Sequence, residues 1–327
     1  VPALEQAPLR QIHLGGGTPT FFSPDSLRAL LEPILDTVNI DPVHFEGSIE
    51  VGPRSTTRPQ LETLRDLGFQ RLSMGVQDYN PEVQHLINRI QPVEMTRDLT
   101  LLARELGFES VNYDLIYGLP AQTEASFRET AETTVALRPD RIALYSFAFV
   151  PWIKKAHRLF TEEDLPKGAE KRALYELARE TFLGAGYVEL GLDHFALPDD
   201  SLYKAYQNGE LHRNFMGYTD ERTDVLLGLG VSSISEAPTC CPGSVPRRMR
   251  VFHGCRGSSS VWAAKCRTDA SLHACRSVGF PGWATSSTFS SSHRTSAPAP
   301  GRRSIPCAPG PANASTVTRA ETSGLLL

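Results

Sequence analysis

The sequence predicts an α/β fold built on a parallel β-sheet, either open or closed into a barrel. Apolar, β-rich segments alternate with segments of helical period through the first 235 residues. Successive strands begin roughly 25–45 residues apart, which leaves room for the crossover helix that parallel neighbours need. The predicted strands are 11–14, 44–51, 71–76, 110–117, 141–147 and 187–191, and the predicted helices are 24–38, 58–67, 81–89, 93–106, 124–137 and 162–183.

Each predicted element has a local signal. In chain order the strand segments read QIHL, HFEGSIEV, RLSMGV, SVNYDLIY, RIALYSF and YVELG, and they are enriched in the β-branched and aromatic residues that favour strands. The first helix has Leu27, Leu30, Leu31 and Ile34 at positions i, i+3, i+4 and i+7, with Ser23 as its N-cap. The later helices repeat this spacing, so we expect one face of each to pack against the sheet.

Length and composition exclude several classes of protein. A chain of 327 residues can bury a large core and needs no disulfide framework. The net charge of −4 argues against a general nucleic-acid coat. No run of about 18 apolar residues predicts a membrane span. No secretory signal precedes the first strand and the first residue is Val1, so we expect a truncated start and neither a nucleic-acid nor a membrane partner.

The composition changes after about residue 235. All six cysteines lie between Cys240 and Cys307, and the stretch from Pro238 onward has 11 Lys and Arg but two acidic residues. The other 22 basic and 35 acidic residues give the first 237 residues a net charge of −13, against +9 for the tail. We therefore predict an α/β domain at 1–235 and, at 236–327, a low-complexity tail that is either disordered or translated out of frame.

A glycine-rich run, GGGTPT at 15–20, follows the first strand. Glycines let a ligand approach the backbone, and the N–H groups at the start of a helix favour a carboxylate or a phosphate. The run lacks the lysine and the spacing of a P-loop. The alternative interpretation is a tight turn whose glycines only accommodate positive φ angles.

Polar residues also end other predicted strands, and a parallel sheet gathers its binding loops at those carboxyl ends. Glu50 and Asp114 could accept hydrogen bonds from ribose hydroxyls or an ammonium group, unless they form a helix cap or a salt bridge to Arg54 or Arg89. Gln77 can both donate and accept. Arg89 could clamp a carboxylate, unless it is only a cation at a helix C-terminus. The other polar strand ends are Asp78, Ser146, Asp193 and His194.

His194, His212 and Arg213 place imidazole and guanidinium groups late in the α/β domain. Such groups suit an anionic substrate that has several carboxylates. A zinc site is disfavoured, because neither histidine has a cysteine partner at metal-binding spacing. His13 and His44 are interpreted as structural histidines.

Together these segments resemble one family, the oxygen-independent coproporphyrinogen III oxidases of the radical S-adenosylmethionine (SAM) superfamily. The resemblance is carried by GGGTPT at 15–20, SIEV at 48–51, RLSMGVQD at 71–78, NR at 88–89, DLIYGLP at 114–120, GLDHFA at 191–196 and HRNFMGYT at 212–219. The last of these segments separates the oxidases from haem chaperones of the same superfamily. The resemblance implies a partial (β/α) barrel of the radical SAM type, here lacking its first strand and cluster loop.

By resemblance, the activity would be that of an oxidoreductase of haem and porphyrin biosynthesis. It converts coproporphyrinogen III to protoporphyrinogen IX by oxidative decarboxylation, through a 5′-deoxyadenosyl radical made from SAM at a [4Fe-4S] cluster. The implied partner is a one-electron donor such as a flavodoxin, and the implied location is the cytoplasm. The family's SAM-binding positions fall on Gly16, Gly17, Thr18, Glu50, Gln77, Arg89, Asp114, Ala148 and Ile234, and the substrate-side candidates are His194, His212 and Arg213.

The family's cluster motif, CxxxCxxC, is expected upstream of Val1. The tail cysteines do not have this spacing, so the chain as given is expected to hold no cluster and to lack turnover. Two other interpretations stay open. One is a haem chaperone of the same superfamily without oxidase activity, and the other is an unrelated βα-barrel that binds a phosphorylated substrate at the glycine loop.

Overall fold

The computed structural model describes residues 7–152, 155–214, 217–223, 225–230, 234–238, 248–256 and 259–264. These residues belong to two compact units, the first described over 7–223 and the second over 225–264. Most of the predicted tail at 236–327 lies outside the described residues. The predicted domain boundary at residue 235 stays a prediction.

A seven-stranded sheet forms the centre of the first unit. Its strands are β1 (Gln11–Leu14), β2 (Glu46–Val51), β3 (Phe69–Gln77), β4 (Ser110–Tyr117), β5 (Arg141–Ser146), β6 (Val188–Gly191) and β7 (His194–Ala196), in the order β1-β2-β3-β4-β5-β7-β6. The first five strands are parallel, and β7 runs antiparallel between β5 and β6. Because β1 and β6 are the edges of this sheet in the described residues, the barrel is partial, and the predicted fold class is confirmed.

Helices follow the strands as the apolar spacing predicts. They are α1 (Pro24–Thr37), α2 (Arg58–Asp66), α3 (Pro81–Leu86), α4 (Val93–Glu105), α5 (Glu124–Leu137), α6 (Gly168–Gly184) and α7 (Ser201–Asn208). Ser23 caps α1 by accepting a hydrogen bond from the Ser26 N–H. The helix predicted over 162–183 is interrupted, because Pro166 lacks an N–H and Gly168 has a φ of +49°. A 3₁₀ turn at Glu162–Asp164 therefore precedes α6.

Strand β7 and helix α7 lie outside the predicted set. β7 has three residues, which is too short to show a period, and it joins β6 through Leu192 and Asp193, whose φ angles are 41° and 75°. α7 begins at its N-cap Asp200, whose side chain accepts from the Leu202 N–H. Because β7 pairs with β5 from Ala196 back to His194, the turn at Asp193 lies at the edge where β5 ends.

The two sides of the sheet differ in polarity, since successive strand residues face opposite sides. The side beneath the helices is apolar and buried and includes Ile49, Leu72, Met74, Val111, Tyr113, Ile142 and Leu144. The other side, here called the polar face, carries Glu46, Ser48, Glu50, Arg71, Ser73, Asn112, Asp114 and Arg141. The register places Glu50 beside Ser73, and Ser73 beside Asn112. A parallel sheet covered on both sides would be apolar on both, so the polar face is the side suited to a ligand.

A network of ion pairs ties the segment around α7 to the amino ends of the strands. Arg71 Nε lies 2.7 Å from Glu46 Oε2, and Arg71 Nη2 lies 3.1 Å from Asp220 Oδ2. Arg141 Nε lies 2.7 Å from Asp200 Oδ1. Burial raises the pKa of Glu46 to about 7 despite the guanidinium beside it. The network thereby fixes the chain on both sides of the segment that contains His212 and Arg213.

Smaller sheets complete the described structure. In the first unit β8 (His212–Arg213) pairs antiparallel with β9 (Tyr218–Thr219). In the second unit the antiparallel strands are β10 (Ile234–Pro238), β11 (Arg248–Arg256) and β12 (Ser259–Ala264). In the described parts of the chain, no helix combines the length and the apolar character that a membrane span requires.

Candidate functional site

The glycine loop follows β1 and leads into a 3₁₀ turn at Pro19–Phe21 before α1 begins. Gly16 and Gly17 have φ angles of 78° and 60°, which a residue with a side chain rarely adopts. The Gly16 N–H donates to Glu50 Oε2 over 3.1 Å. The loop, with Thr18 exposed in it, therefore lies directly beside the carboxylate that ends β2.

Glu50 and Asp114 stand on the polar face, two strands apart. Asp114 accepts hydrogen bonds from Ser73 Oγ at 3.2 Å and from Asn112 Nδ2 at 2.8 Å. Burial, together with the nearby charge of Glu50, raises the pKa of Asp114 to about 7. Within the described residues neither carboxylate forms an ion pair with Arg54 or Arg89, so the salt-bridge alternative is not what the structure shows.

The Asp114→Asn variant is expected to gain stability relative to the unchanged chain as the pH rises. The pKa of Asp114 is raised from 3.8 to about 7 in the folded chain. Its stabilising contribution is therefore complete below pH 3.8 and is lost as the pH rises through about 7. Asparagine does not titrate. Urea unfolding at pH 5 and pH 8 measures the difference between the two proteins, and a difference that is the same at both values would contradict this pKa.

Gln77 and Arg89 lie together at the end of β3. Gln77 has a φ of 68° and a side chain that is 1% exposed, and neither Nε2 nor Oε1 has a hydrogen-bond partner among the described residues. Arg89 Nη2 donates to the Gly75 carbonyl over 2.7 Å, while its buried Nε has no partner in the same part of the chain. A Cβ at Gly75 would lie 2.7 Å from Gln77 Nε2 and 2.8 Å from Arg89 Nη2. Both side chains therefore crowd over this glycine with hydrogen-bonding capacity left for a ligand.

The charge of Arg89 does not serve a helix C-terminus. Helix α3 ends at Leu86, and Asn88 then takes a φ of 55°, so Arg89 lies beyond the helix and reaches back to β3. Burial and the charge of Arg54 lower the pKa of Arg89 to about 10. The guanidinium stays protonated at neutral pH, so this edge of the sheet offers a buried positive charge to an anionic group.

Asp78, one of the polar strand ends, has a structural role. It is fully buried and accepts hydrogen bonds from Gln122 Nε2 at 2.6 Å and Thr130 Oγ1 at 2.9 Å. It also accepts from the Asn80 N–H at 2.7 Å. These bonds join the end of β3 to the loop after β4 and to α5, so this carboxylate is occupied inside the protein.

The substrate-side candidates separate into two environments. The His194 ring makes edge contacts with Tyr145, with the ring centres 5.9 Å apart, and with Tyr218 at 5.3 Å. The Arg213 guanidinium lies 5.6 Å from the centre of the Tyr218 ring. His194 and Arg213 are thus brought together around Tyr218, whereas His212 is placed by its backbone pairing with β9.

Tyr145 belongs to the site although the sequence analysis did not select it. Burial, with the charges of Asp114 and Glu50 nearby, raises the pKa of its hydroxyl well above the ordinary value. It stands on the polar face of β5, four residues after Arg141 on the same side of the strand. The period-2 pattern of β5 was the signal that could have found it.

Two other predicted residues lie at the ends of elements. Ala148 is half-buried and follows the carboxyl end of β5. Ile234 begins β10 of the second unit.

Among the side chains that the structure describes, no group of three or more His, Cys, Asp or Glu could hold a metal ion. The unpartnered polar atoms of Gln77 and Arg89 and the carboxylates of the polar face would suit a ligand that has carboxylate, ammonium and hydroxyl groups.

Comparisons with known proteins identify the family that this chain resembles. The profile of the Radical SAM superfamily matches residues 2–134. The oxygen-independent coproporphyrinogen III oxidase of Helicobacter pylori J99 is 46% identical over 226 residues, which are 69% of this chain and 50% of that protein. The enzyme of Synechocystis is 44% identical over 231 residues, 71% of this chain and 49% of that protein. This chain spans about half the length of these curated relatives.

A solved structure shows the same relationship. Coproporphyrinogen III oxidase from Escherichia coli, described as a radical SAM enzyme, superposes with a TM-score of 0.69 and 41% identity. The match covers 75% of this chain and 54% of that one.

Proposed function

Since this chain carries a radical SAM domain and is homologous to oxygen-independent coproporphyrinogen III oxidases, we propose that its first unit is the SAM-binding part of such an oxidase. The reaction is the oxygen-independent oxidative decarboxylation of coproporphyrinogen III to protoporphyrinogen IX in haem biosynthesis. Two propionate side chains of the substrate lose CO₂ and become vinyl groups.

The buried, unpartnered polar atoms of Gln77 and Arg89 carry this proposal. Arg89 would bind the carboxylate of SAM and Gln77 its polar groups, while Glu50 and Asp114 would accept from the ribose hydroxyls or the ammonium group. When bound, and reduced by one electron from a cluster, SAM would supply the radical chemistry that removes a hydrogen atom from the substrate, while these residues would hold and orient it. Backbone groups of Gly16, Gly17 and Thr18 would line the same ligand, and we assign Ala148 to it on the resemblance to the family. The role of Ile234, in the second unit, stays a prediction from the same resemblance.

The [4Fe-4S] cluster does not fit the residues of the first unit. Cluster irons need several thiolates held in one loop, and the first 239 residues contain no cysteine. The one-electron donor that such a cluster requires would be a protein such as a flavodoxin, in the cytoplasm.

The substrate would meet the cationic and aromatic side of the polar face. Coproporphyrinogen III carries four propionates, so it presents carboxylates in several directions. Arg213 and His194 offer a guanidinium and an imidazole around Tyr218. His212 directly precedes Arg213 on β8. This arrangement suits the recognition of a carboxylate beside an aromatic surface.

Equilibrium dialysis of the purified chain against labelled SAM tests the proposal, because binding can be measured without turnover. We expect saturable binding that S-adenosylhomocysteine displaces. Failure to bind SAM, with protection by phosphorylated ligands instead, would support the unrelated barrel. In a longer protein that contains the cluster motif, transfer of haem without decarboxylation of coproporphyrinogen III would favour the chaperone.

The Gln77→Met variant is expected to be more stable and to bind SAM less tightly. Methionine has a similar length but no polar group, so two buried atoms without protein partners disappear. We expect a gain of about 1 kcal/mol in the free energy of unfolding and a roughly tenfold higher dissociation constant for SAM. Urea unfolding and dialysis measure the two effects.

Gln84→Met is the matched control for this substitution. Gln84 is equally buried, but its Nε2 donates to the carbonyls of Asp78 and Gln91, and its Oε1 accepts from the Gln91 N–H. The same change there should therefore lower stability. If both variants lose stability alike, Gln77 is an ordinary core residue and the binding role fails.

A further inference from the structure

His13 lies on the polar face of β1, beside the candidate site. The parallel register pairs it with Ser48 of β2, and its Nδ1 lies 2.8 Å from the Ser48 Oγ. On the other side of the ring, Nε2 lies 3.6 Å from Glu50 Oε1. The imidazole therefore stands between a hydroxyl and the carboxylate that ends β2.

The Glu50 carboxylate has polar neighbours on two sides. Oε1 faces His13, and Oε2 accepts the hydrogen bond from the Gly16 N–H. In the described part of the chain these are its polar contacts. Asp114 is close enough that the charge of Glu50 raises its pKa, so the direction in which the Glu50 carboxylate points matters for the rest of the polar face.

Gly15 makes this arrangement sterically feasible. A Cβ at Gly15 would lie 2.6 Å from His13 Nε2 and 2.9 Å from Glu50 Oε1, closer than real contacts allow. At Gly16 and Gly17 a Cβ would meet nothing within 4 Å, and it is their positive φ angles that favour glycine. Glycine is therefore favoured for different reasons at the three positions of the loop. At Gly15 the reason is that His13 approaches Glu50 in the space a Cβ would fill.

We propose that His13 is a positioning residue that orients Glu50 toward the ligand. We assign the tautomer in which the Ser48 hydroxyl donates to Nδ1, so that the ring hydrogen is on Nε2, 3.6 Å from Glu50 Oε1. Glu50 then presents Oε2 to the glycine loop and its remaining lone pairs to SAM. This inference rests on the proposed function, since it deepens the role given there to Glu50. His13 itself does not touch the ligand.

Two substitutions of His13 distinguish the contribution of Nε2 from that of Nδ1. In His13→Gln the amide nitrogen reaches about as far as Nε2 and can still donate to Glu50. In His13→Asn the shorter amide occupies the region of Nδ1 and loses that donor. We expect His13→Asn to weaken SAM binding about tenfold and His13→Gln to stay within about threefold of the unchanged chain. If the histidine only supports Ser48, His13→Gln should instead weaken SAM binding more than His13→Asn does.

The matched control is His44→Asn. His44 Nδ1 lies 3.0 Å from Asp41 Oδ2 in the exposed loop before β2, so it is also a histidine beside a carboxylate. We expect SAM affinity to be unchanged there. In a Glu50→Ala background, adding His13→Asn should weaken SAM binding no further, because the residue acts through Glu50. Additive losses would overturn the proposal.

A measurement without ligand distinguishes this inference from the proposed function. If His13 orients Glu50, the Gly16 amide should exchange its hydrogen several-fold faster in His13→Asn than in His13→Gln, because the bond to Oε2 weakens. This exchange pattern in a chain that does not bind SAM would sustain the positioning role and refute the proposed function. Equal exchange in both variants, with SAM bound equally well, would refute the positioning role alone.

Discussion

Replacing Asp78 with alanine is expected to lower the free energy of unfolding by about 3 kcal/mol. The carboxylate is fully buried and accepts from Gln122, Thr130 and the Asn80 N–H at 2.6–2.9 Å. Alanine removes the acceptor of these three donors, of which Gln122 Nε2 keeps only its bond to the Ile116 carbonyl, and it removes the link between the end of β3 and α5. Urea and thermal unfolding of the purified chain measure the loss.

The Asp78→Asn variant should have a free energy of unfolding between those of the unchanged chain and the Asp78→Ala variant. Its Oδ1 can still accept from Thr130 and Asn80, but its NH₂ would face the NH₂ of Gln122. Gln122 cannot rotate its amide without loss, since its Oε1 already accepts from the Gly118 and Leu119 N–H groups.

The control is Asp98→Ala on the exposed side of α4, where the side chain is 65% exposed. We expect this control substitution to change the free energy of unfolding by less than about 0.5 kcal/mol. A loss at Asp78 no larger than that at Asp98 would show that the buried bonds do not hold this loop.

Arg89→Met is expected to raise the dissociation constant for SAM about 100-fold. The guanidinium is the buried positive charge at the end of β3, and its Nε has no partner among the residues described. Methionine fills a similar volume without charge. The free energy of unfolding should change little, because the charge and its unpartnered Nε are removed together. Dialysis against SAM measures the binding.

Arg89→Lys should recover only part of the affinity, about tenfold below the unchanged chain, since the single nitrogen of lysine does not reproduce the separate guanidinium nitrogens directed at the Gly75 carbonyl and at a ligand carboxylate. Arg97→Met on the exposed face of α4 is the control, and we expect it to bind SAM normally. If Arg89→Met also binds normally, the arginine only ties α3 to β3 and the assignment of the SAM carboxylate is wrong.

The elements with a clear local period were predictable. The bounds of β1, β4 and α5 coincide with the predicted ones, and the other helices and strands differ mainly at their ends. The location of the site was also predictable in outline, because parallel strands bring Glu50, Gln77 and Asp114 to one edge whatever the details of packing. Each of these inferences depends only on the period of one segment and on the polar residue that ends it.

The roles of individual side chains were less predictable. Gln77 and Asp78 are adjacent strand-end residues of similar polarity, yet one has free hydrogen-bonding atoms and the other is saturated from β4 and α5. The side-chain donors to Asp78, Gln122 and Thr130, are 44 and 52 residues away in the chain. Likewise Tyr145 and His194 meet only because β7 folds back antiparallel beside β5.

The sequence by itself determined the α/β class, the order of the elements and the edge of the sheet at which polar groups collect. Local periodicity and strand direction suffice for these. Only the tertiary structure decided that the sheet has a polar face, that Gln77 and Arg89 keep unpartnered atoms over Gly75, and that His13 stands against Glu50. The reason is physical: burial and hydrogen bonding depend on neighbours brought in from distant parts of the chain, and a local pattern does not specify them.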